Sequence, residues 1–454
     1  MVSRTCKVLL FSLLLLIQAA SPAQGTWNRV NIPTTRYLRS VCFVDSLYGW
    51  VAGDSGTIMH TTNGGATWIQ QGIQTSNEIE YVFFLNRNLG WASQFNYTTS
   101  PYGTILLRTT NGGTTWQSIP FPTADIFIAC ILFTDSLHGW MGGKPNGIFK
   151  TTNSGISWTQ AAIDTSILAF FPVLDIEFYG QKYGYACGGI LDIAGVIWRT
   201  TNGGNNWDAI DPSYAPADEV HRLHLFDSLN VLGAGGDPDF GYGVGMIRTS
   251  DGGLSWSYNE LNIQGNAYDL DFRNATEAWA PLGPKRKLIF SLDAGLTWTP
   301  VLTPDSTAIY DMTFPDSLHG FAVGKNGAFL KYHPPVIPSV TPIPGRPGEF
   351  SLCQNYPNPV VSGTTIKFEI PSAGLLQNPV STRPFETVQI NVTGILGNEV
   401  ANLVSKETDP GCHAVRFDAS GLPGGCYLYT LQVIRSGQSI TVAGPKRMII
   451  LKNR

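Results

Sequence analysis

The sequence predicts an all-β protein: a seven-bladed β-propeller whose N-terminal strand closes the last blade, followed by a C-terminal immunoglobulin-like β-sandwich. A box first met as Thr61-Thr62-Asn63-Gly64-Gly65-Ala66-Thr67-Trp68 returns at Thr109 to Trp116, Thr151 to Trp158, Thr201 to Trp207, Thr249 to Trp256 and, most weakly, Ser291 to Trp298. A second motif, Phe43-Val44-Asp45-Ser46-Leu47-Tyr48-Gly49-Trp50, runs in phase with it and recurs around Phe84, Phe133, Phe178, Phe226, Phe272 and Phe314. Self-similarity at roughly 40–50 residues with β punctuation selects propeller blades over a helical solenoid. Composition agrees, since 43% hydrophobic residues with 49 Gly and 29 Pro suit many short strands joined by tight turns.

Each box is a turn followed by an anchor. Asn-Gly, Asp-Gly and Gly-Gly accept the positive φ of a tight hairpin, and the Thr-Trp that follows suits a pleated strand with a large ring to bury. The second motif has seven copies against six full boxes, and Thr26-Trp27 lies 16 residues before Phe43, as box tryptophans lie 16 to 20 residues before the next Phe. Thr26-Trp27 is therefore the missing strand. It completes the last blade, Phe314 to Tyr332, and removes an open sheet edge. Within a blade the Phe-centred strand is expected innermost and the Thr-Trp strand outermost, which puts the boxes on one face and the longer loops on the other.

The chain opens with Arg4 and Lys7 before an apolar run from Val8 to Ala20 and the small-x-small sequence Ser21-Pro22-Ala23. This reads as a signal peptide over 1–23, too short for a membrane span, with the mature chain starting at Gln24. A net charge of −4 with 14% charged residues leaves no basic footprint, which excludes nucleic acid as a partner, and no transmembrane segment is expected. Cys42, Cys130, Cys187, Cys353, Cys412 and Cys426 lack the spacing of a zinc site, so neither metal nor cofactor is expected; Cys412 and Cys426 are candidates for pairing in an oxidising compartment.

Two groups of residues are candidates for function. Asp175, Asp269 and Asp311 each stand three residues before the Phe of a blade, at the start of the innermost strand, and so face the central channel; Ser40, Cys130 and Leu223 fill that slot elsewhere. Two carboxylates across a cleft are the minimum for glycoside hydrolysis, while a carboxylate at a fixed repeat phase also serves to cap strand-start amides. The long second-to-third strand loops of blades two and five carry Phe95, Tyr97 and Tyr102, and Asp237, Asp239, Phe240 and Tyr242. Aromatics beside carboxylates suit protein or carbohydrate contacts. Arg108, Arg199 and Arg248 share one phase just before a box and are spread around the ring, against an arginine-triad sialidase site.

A proline-rich stretch, 334–349, reads as a stiff linker between the propeller (24–333) and a last unit (350–454). That unit carries Asn355-Tyr356-Pro357-Asn358-Pro359, the alternating strand Thr364 to Ile370, Val388 to Val392, Leu396-Gly397-Asn398-Glu399-Val400 and Gly424-Gly425-Cys426-Tyr427-Leu428-Tyr429, short strands and Gly turns of a small sandwich.

The boxes resemble the Asp-box, or BNR, repeat, and their pairing with Phe-x-Asp…Gly-Trp looks most like the Ycf48/HCF136-type photosystem II assembly-factor propeller. Xyloglucanases are propeller glycosidases with related boxes and paired aspartates. The last unit resembles the type A C-terminal sorting domain of the Bacteroidota type IX secretion system, with Val360-Val361 and an insertion from Ala373 to Glu386 as departures. That resemblance implies export through the periplasm to the medium or the outer cell surface, with the secretion machinery as one partner. The function expected is a protein- or glycan-binding module; the alternative is a glycoside hydrolase using the channel aspartates.

Overall fold

The box closes by its own side chains. Thr61 Oγ1 donates to Asn63 Oδ1 (3.0 Å) and accepts from the amide of Gly65 (2.9 Å), and Asn63 Oδ1 accepts from the amide of Thr67 (2.9 Å). Gly64 and Gly65 hold φ of +65° and +81°, which side-chain-bearing residues seldom adopt. The same exchange recurs at Thr109/Asn111, Thr151/Asn153, Thr200/Asn202, Thr249/Asp251 and Ser291/Asp293.

The structure, a computed structural model, describes residues 24–451 except 74, 122, 164–169, 192, 210–218, 238–242, 336–349, 361, 371–386, 395–397, 406–410 and 436–437. The expected signal peptide, nearly all of the linker and the insertion after Ala373 lie outside the described residues. The chain divides into two units, 1–335 and 336–454. No helix among the described residues is long and apolar enough to cross a membrane.

Among the described residues the first unit is a succession of seven sheets with propeller-like order, antiparallel except for one short parallel strand. In the first, Leu38–Phe43, Gly49–Gly53, Thr57–Thr61 and Ile69–Gln70 lie side by side; one later sheet gains a short fifth strand, Ala162–Ile163. The opening strand Thr26–Arg29 pairs with Ala328–His333 and completes the last sheet, whose other strands are His319–Gly324 and Ile309–Asp316. First strands of successive sheets touch, and Leu38–Phe43 meets Ile309–Asp316, so the ring returns on itself along its axis.

The second motif explains how sheets adhere. Phe43 pairs with Gly49, whose missing side chain leaves room for the ring: a Cβ there would sit 2.5 Å from it. Trp50, fully buried, stacks on Phe84 of the next sheet at 3.5 Å and donates its indole N–H to the carbonyl of Gly112 in that sheet's box (3.0 Å). Trp91 repeats both contacts with Phe133 and Ser154, at 3.5 and 3.2 Å. The Asp-Ser-Leu turns are fixed by the aspartates; Asp45 Oδ1 accepts from the amides of Leu47 (2.8 Å) and Tyr48 (2.9 Å), and Asp135, Asp227 and Asp316 do likewise.

In the second unit, one sheet of Ser351–Leu352, Gly363–Ile370 and Gly411–Asp418 and another of Glu399–Ser405, Thr387–Gly394, Gly425–Arg435 and Gln438–Ile450 share one core, with Ile366 and Phe368 from the first and Val388, Ile390 and Leu431 from the second. Tyr429 Oη accepts from the amide of Asn355 (2.7 Å) and donates to the carbonyl of Cys353 (2.9 Å), latching the Asn-Tyr-Pro-Asn-Pro segment. Cys412 and Cys426 stand in different sheets as free thiols.

Trp27 decides whether the ring stays shut. It is 7% exposed and meets Trp279, Phe314 and Tyr332 edge-on at 5.9, 5.5 and 5.3 Å. Trp27→Ala is expected to cost about 3–5 kcal/mol, measured by urea unfolding of the full chain followed through tryptophan fluorescence.

Candidate functional site: the axial channel and its mouth

Six of the seven first strands begin with the same irregularity. Register shifts at Leu38/Ser40, Ile79/Tyr81, Ile128/Cys130, Val173/Asp175, Val220/Arg222 and Ile309/Asp311 mark a β-bulge, which turns the following side chain toward the axis. Asp269 takes this place in the remaining sheet, two residues before Asp271–Phe272. The ring of positions is thus Ser40, Tyr81, Cys130, Asp175, Arg222, Asp269 and Asp311.

The fifth member corrects the sequence reading. Leu225, not Phe226, pairs with Val231 in the position where Phe43 pairs with Gly49, so the slot assigned to Leu223 belongs to Arg222. The phenylalanine one residue further on had set the phase.

Arg222 gathers the aspartates. Its Nε donates to Asp269 Oδ1 (2.6 Å), Nη1 to Asp175 Oδ1 (3.1 Å) and Nη2 to Asp311 Oδ1 (3.0 Å), with Tyr81 Oη 3.5 Å from Nη1. The other carboxylate oxygens reach across to neighbouring sheets: Asp175 Oδ2 accepts from the amide of Leu223 (2.9 Å), Asp269 Oδ2 from Met312 (2.6 Å) and Asp311 Oδ2 from Val41 (2.6 Å). All three aspartates are buried. Burial raises the carboxyl groups of Asp175 and Asp311 above the usual range, and the Arg222 guanidinium acts against that rise.

This belt floors two spaces. One, of about 410 Å³, contains Glu177, His224, Asp271 and Thr313. Burial, then the charge of Asp175, pushes Glu177 up to about 8; burial lifts Asp271 to about 7 although the amide of Phe314 donates to it at 2.7 Å. Burial pushes His224 down to about 4, and its ring stacks on Phe272 at 3.9 Å.

The other space, of about 270 Å³, opens at the loop-bearing mouth. Its wall is a chain of rings: Tyr37 to Tyr310 (5.2 Å), Tyr310 to Tyr268 (5.0 Å) and Tyr268 to His221 (5.2 Å). Arg39 stands opposite its neighbour Glu80, held at 2.8 Å from Asp54, 2.8 Å from Glu78 and 2.9 Å from Glu80. Lys144 lines the same space.

The predicted loop residues separate. Tyr97 (57% exposed) and Tyr102 (48%) are accessible, and Tyr97 stacks on Phe127 at 4.8 Å. Phe95 is buried against Phe127 and Asp237 is buried as well, so neither presents the open side chain expected of a loop-tip contact. Asp239, Phe240 and Tyr242 lie outside the described residues.

Comparison with known proteins places the first unit. Residues 19–125 match the family described as photosynthesis system II assembly factor YCF48. The photosystem II stability/assembly factor HCF136 of Arabidopsis thaliana is 23% identical over 324 residues, 67% of this chain and 79% of that protein. The propeller is Ycf48/HCF136-like. Among solved structures, YCF48 bound to D1 peptide superposes with a TM-score of 0.54 at 22% identity, covering 68% of this chain and 96% of that one. The GH74 enzyme of Niastella koreensis gives 0.52 at 16% identity, covering 92% and 74%. At these identities the likeness is one of fold.

Sequence reasoning missed Arg222 and the mouth tyrosines of this Ycf48-like ring. The signal for the latter is the dipeptide Tyr268-Asp269, repeated as Tyr310-Asp311: one position before each axial aspartate points to the mouth.

The raised carboxyl groups set a pH dependence. Folded Glu177 and Asp271 hold protons that the unfolded chain, with ordinary carboxylates, releases near pH 4, so their contribution favours folding at low pH and is lost as pH rises through about 7 to 8. Glu177→Gln with Asp271→Asn is expected to flatten that fall and to melt higher than the natural chain at pH 8, read by calorimetry from pH 5 to 8. Arg222→Met, by contrast, strands three buried aspartates and is expected to cost about 3–5 kcal/mol at pH 7, with partial recovery at pH 5, in urea titrations at the two pH values.

Proposed function

We propose that residues 24–333 form a seven-bladed propeller whose loop-bearing mouth binds an extended protein segment. The observation that carries this is the shape and chemistry of the mouth. It is a shallow cup of about 270 Å³, floored by the Arg222 belt, with tyrosine and histidine rings along one wall and Arg39, Glu80 and Lys144 around them. Rings supply contact area at small entropic cost, and interspersed charges and hydroxyls satisfy backbone groups. The similar YCF48 of known structure has been seen bound to D1 peptide, which is support by analogy for a peptide ligand.

The chain is further proposed to be exported. A signal peptide over 1–23 carries it to the periplasm, and residues 350–454, read as an immunoglobulin-like sandwich and a type A sorting domain, address a type IX secretion machinery of a Bacteroidota cell. The support is the motif order from Asn355 to Tyr429 and the two sheets sharing one core. The product is then secreted or held at the outer surface.

A glycoside hydrolase is the second reading, favoured by the likeness to a GH74 enzyme. It draws less support from the site: both oxygens of Asp175, Asp269 and Asp311 are engaged, one by Arg222 and one by a backbone amide. Carboxylates so held offer neither a free acid nor a nucleophile to a sugar.

The test is to select peptides from a displayed random library on the mature chain and to incubate the same protein with xyloglucan. Selected peptides are expected to bind with an affinity that falls about 10-fold or more in Tyr268→Ala/Tyr310→Ala, as loss of two aromatic contacts implies. Release of reducing ends from xyloglucan that disappears in a folded Asp269→Asn chain would make this a hydrolase.

A further inference from the structure

Because side chains alternate along a strand, the residue two past each belt position faces the axis again. Cys42, Phe83, Glu177, His224, Asp271 and Thr313 hold this second place in one register: as Cys42 pairs with Trp50, so Phe83 pairs with Trp91, Glu177 with Tyr185 and Asp271 with Trp279. All six line the space of about 410 Å³. It lies on the box side of the belt, since the first strands run on into the Asp-Ser-Leu turns and Gly64 of a box donates its amide to the carbonyl of Leu47 in such a turn (2.8 Å). The wall is divided. Cys42 and Phe83, from the first two sheets, make an apolar side, and Glu177, His224, Asp271 and Thr313, from the last four, carry acceptors.

Charge does not balance in this space. Five carboxyl groups surround the axis, those of Asp175, Asp269, Asp311, Glu177 and Asp271, and Arg222 is the one cationic side chain lining the space among the described residues. That guanidinium is already engaged by the three belt aspartates. Burial keeps the other titratable groups neutral, pushing His224 down to about 4 and raising the Cys42 thiol and the Tyr81 hydroxyl. Glu177 is set deep in the protein, makes no hydrogen bond among the described residues, and turns what surface it keeps to this space. Asp271 accepts one amide at each oxygen, from Phe272 and Phe314 at 2.7 Å, so each oxygen has a lone pair left. Neutral His224 can accept through one ring nitrogen.

We infer that this space is a binding site for an alkylammonium group, its N–H donors bonded to Glu177, His224 and Asp271 and its carbon chain laid against Phe83 and Cys42. Three successive sheets supply three acceptors, and an ammonium has three donors. The bound cation supplies the charge that the axis lacks, where an unpaired buried carboxylate is costly. A coordinated metal ion would need a tighter set: no three His, Cys, Asp or Glu side chains among the described residues stand close enough to hold one. Without a ligand, protons on Glu177 and Asp271 do the neutralising, and an ammonium displaces them. Binding therefore releases protons and tightens as pH rises through about 7 to 8, while an alkylammonium stays charged. The inference is independent of what the mouth binds.

The experiment is calorimetric titration of the full chain with n-butylammonium and with Nα-acetyl-lysine amide, at pH 6, 7 and 8 and constant ionic strength, in buffers of different ionisation enthalpy. Butylammonium is expected to bind about 10-fold or more tightly at pH 8 than at pH 6, and to release about one proton or more per ligand at pH 7. Tetramethylammonium, which has the charge and no N–H, is expected to bind about 10-fold more weakly. Binding of the lysine probe as well extends the site to protein side chains, and binding of butylammonium alone confines it to free amines. Glu177→Gln is expected to lose about 10-fold in affinity and most of the pH dependence. Failure of butylammonium to bind at pH 8, binding without proton release, equal binding of tetramethylammonium, or full affinity in a folded Glu177→Gln chain overturns the inference, and the first three need no variant.

Discussion

One guanidinium holds the centre of the ring. Arg222 bonds to aspartates from three other sheets, and each aspartate spends its second oxygen on a backbone amide of the sheet that follows. A propeller whose sheets adhered only by flat aromatic stacking would leave its axis a water-filled tube. Here the axis is cross-braced, and removing the one cation would leave three like charges facing each other in a buried space. The bulge at the start of six of the first strands helps the convergence, since it aims a side chain at the axis at the same point of each strand.

The periphery is held by different physics. Between sheets, Trp50 and Trp91 each stack on the next phenylalanine and donate to the next box, and Trp140 keeps the stacking contact on Phe178, so these seams are built on one repeated aromatic contact. A repeat of this kind is stable only as part of a closed set, because its outermost members would expose an apolar face and an unpaired edge. The strand Thr26–Arg29 supplies both missing items, its backbone pairing with Ala328–His333 and Trp27 filling the gap among Trp279, Phe314 and Tyr332.

Most of this architecture is legible in the residues. The boxes, the Phe–Gly-Trp pairing, the closing strand and the aspartate-led turns all follow from local chemistry that repeats, and repetition makes a pattern visible. The axial site is less legible because a repeat phase gives a position along the strand and not its distance from the axis. Three aspartates at one phase could be read as residues scattered around a wide channel; the first strands in fact lie close enough for one arginine to span them. Arg222 was hidden for a different reason: Phe226, one residue beyond the register position held by Leu225, imitated the motif and moved the count by one. Phe95 and Asp237 show the same limit in loops, where an aromatic or a carboxylate is as apt to pin the loop down as to face solvent.

The braced axis also bears on where specificity resides. The Thr or Ser and Asn or Asp side chains of the boxes bond to one another and to box amides, and most box tryptophans pack into the cores, so the repeated residues have little left with which to recognise anything. What differs from sheet to sheet at the mouth is the residue just before each axial position: Arg39, Glu80, Ala129, Leu174, His221, Tyr268 and Tyr310. These side chains stand just before the axial residues, and in five sheets the axial residue belongs to the belt around Arg222. A cup with so rigid a floor has little freedom to adapt to its occupant. It discriminates by which rings and charges occupy those seven places, and a sequence can change them one at a time without disturbing a box, a seam or the belt.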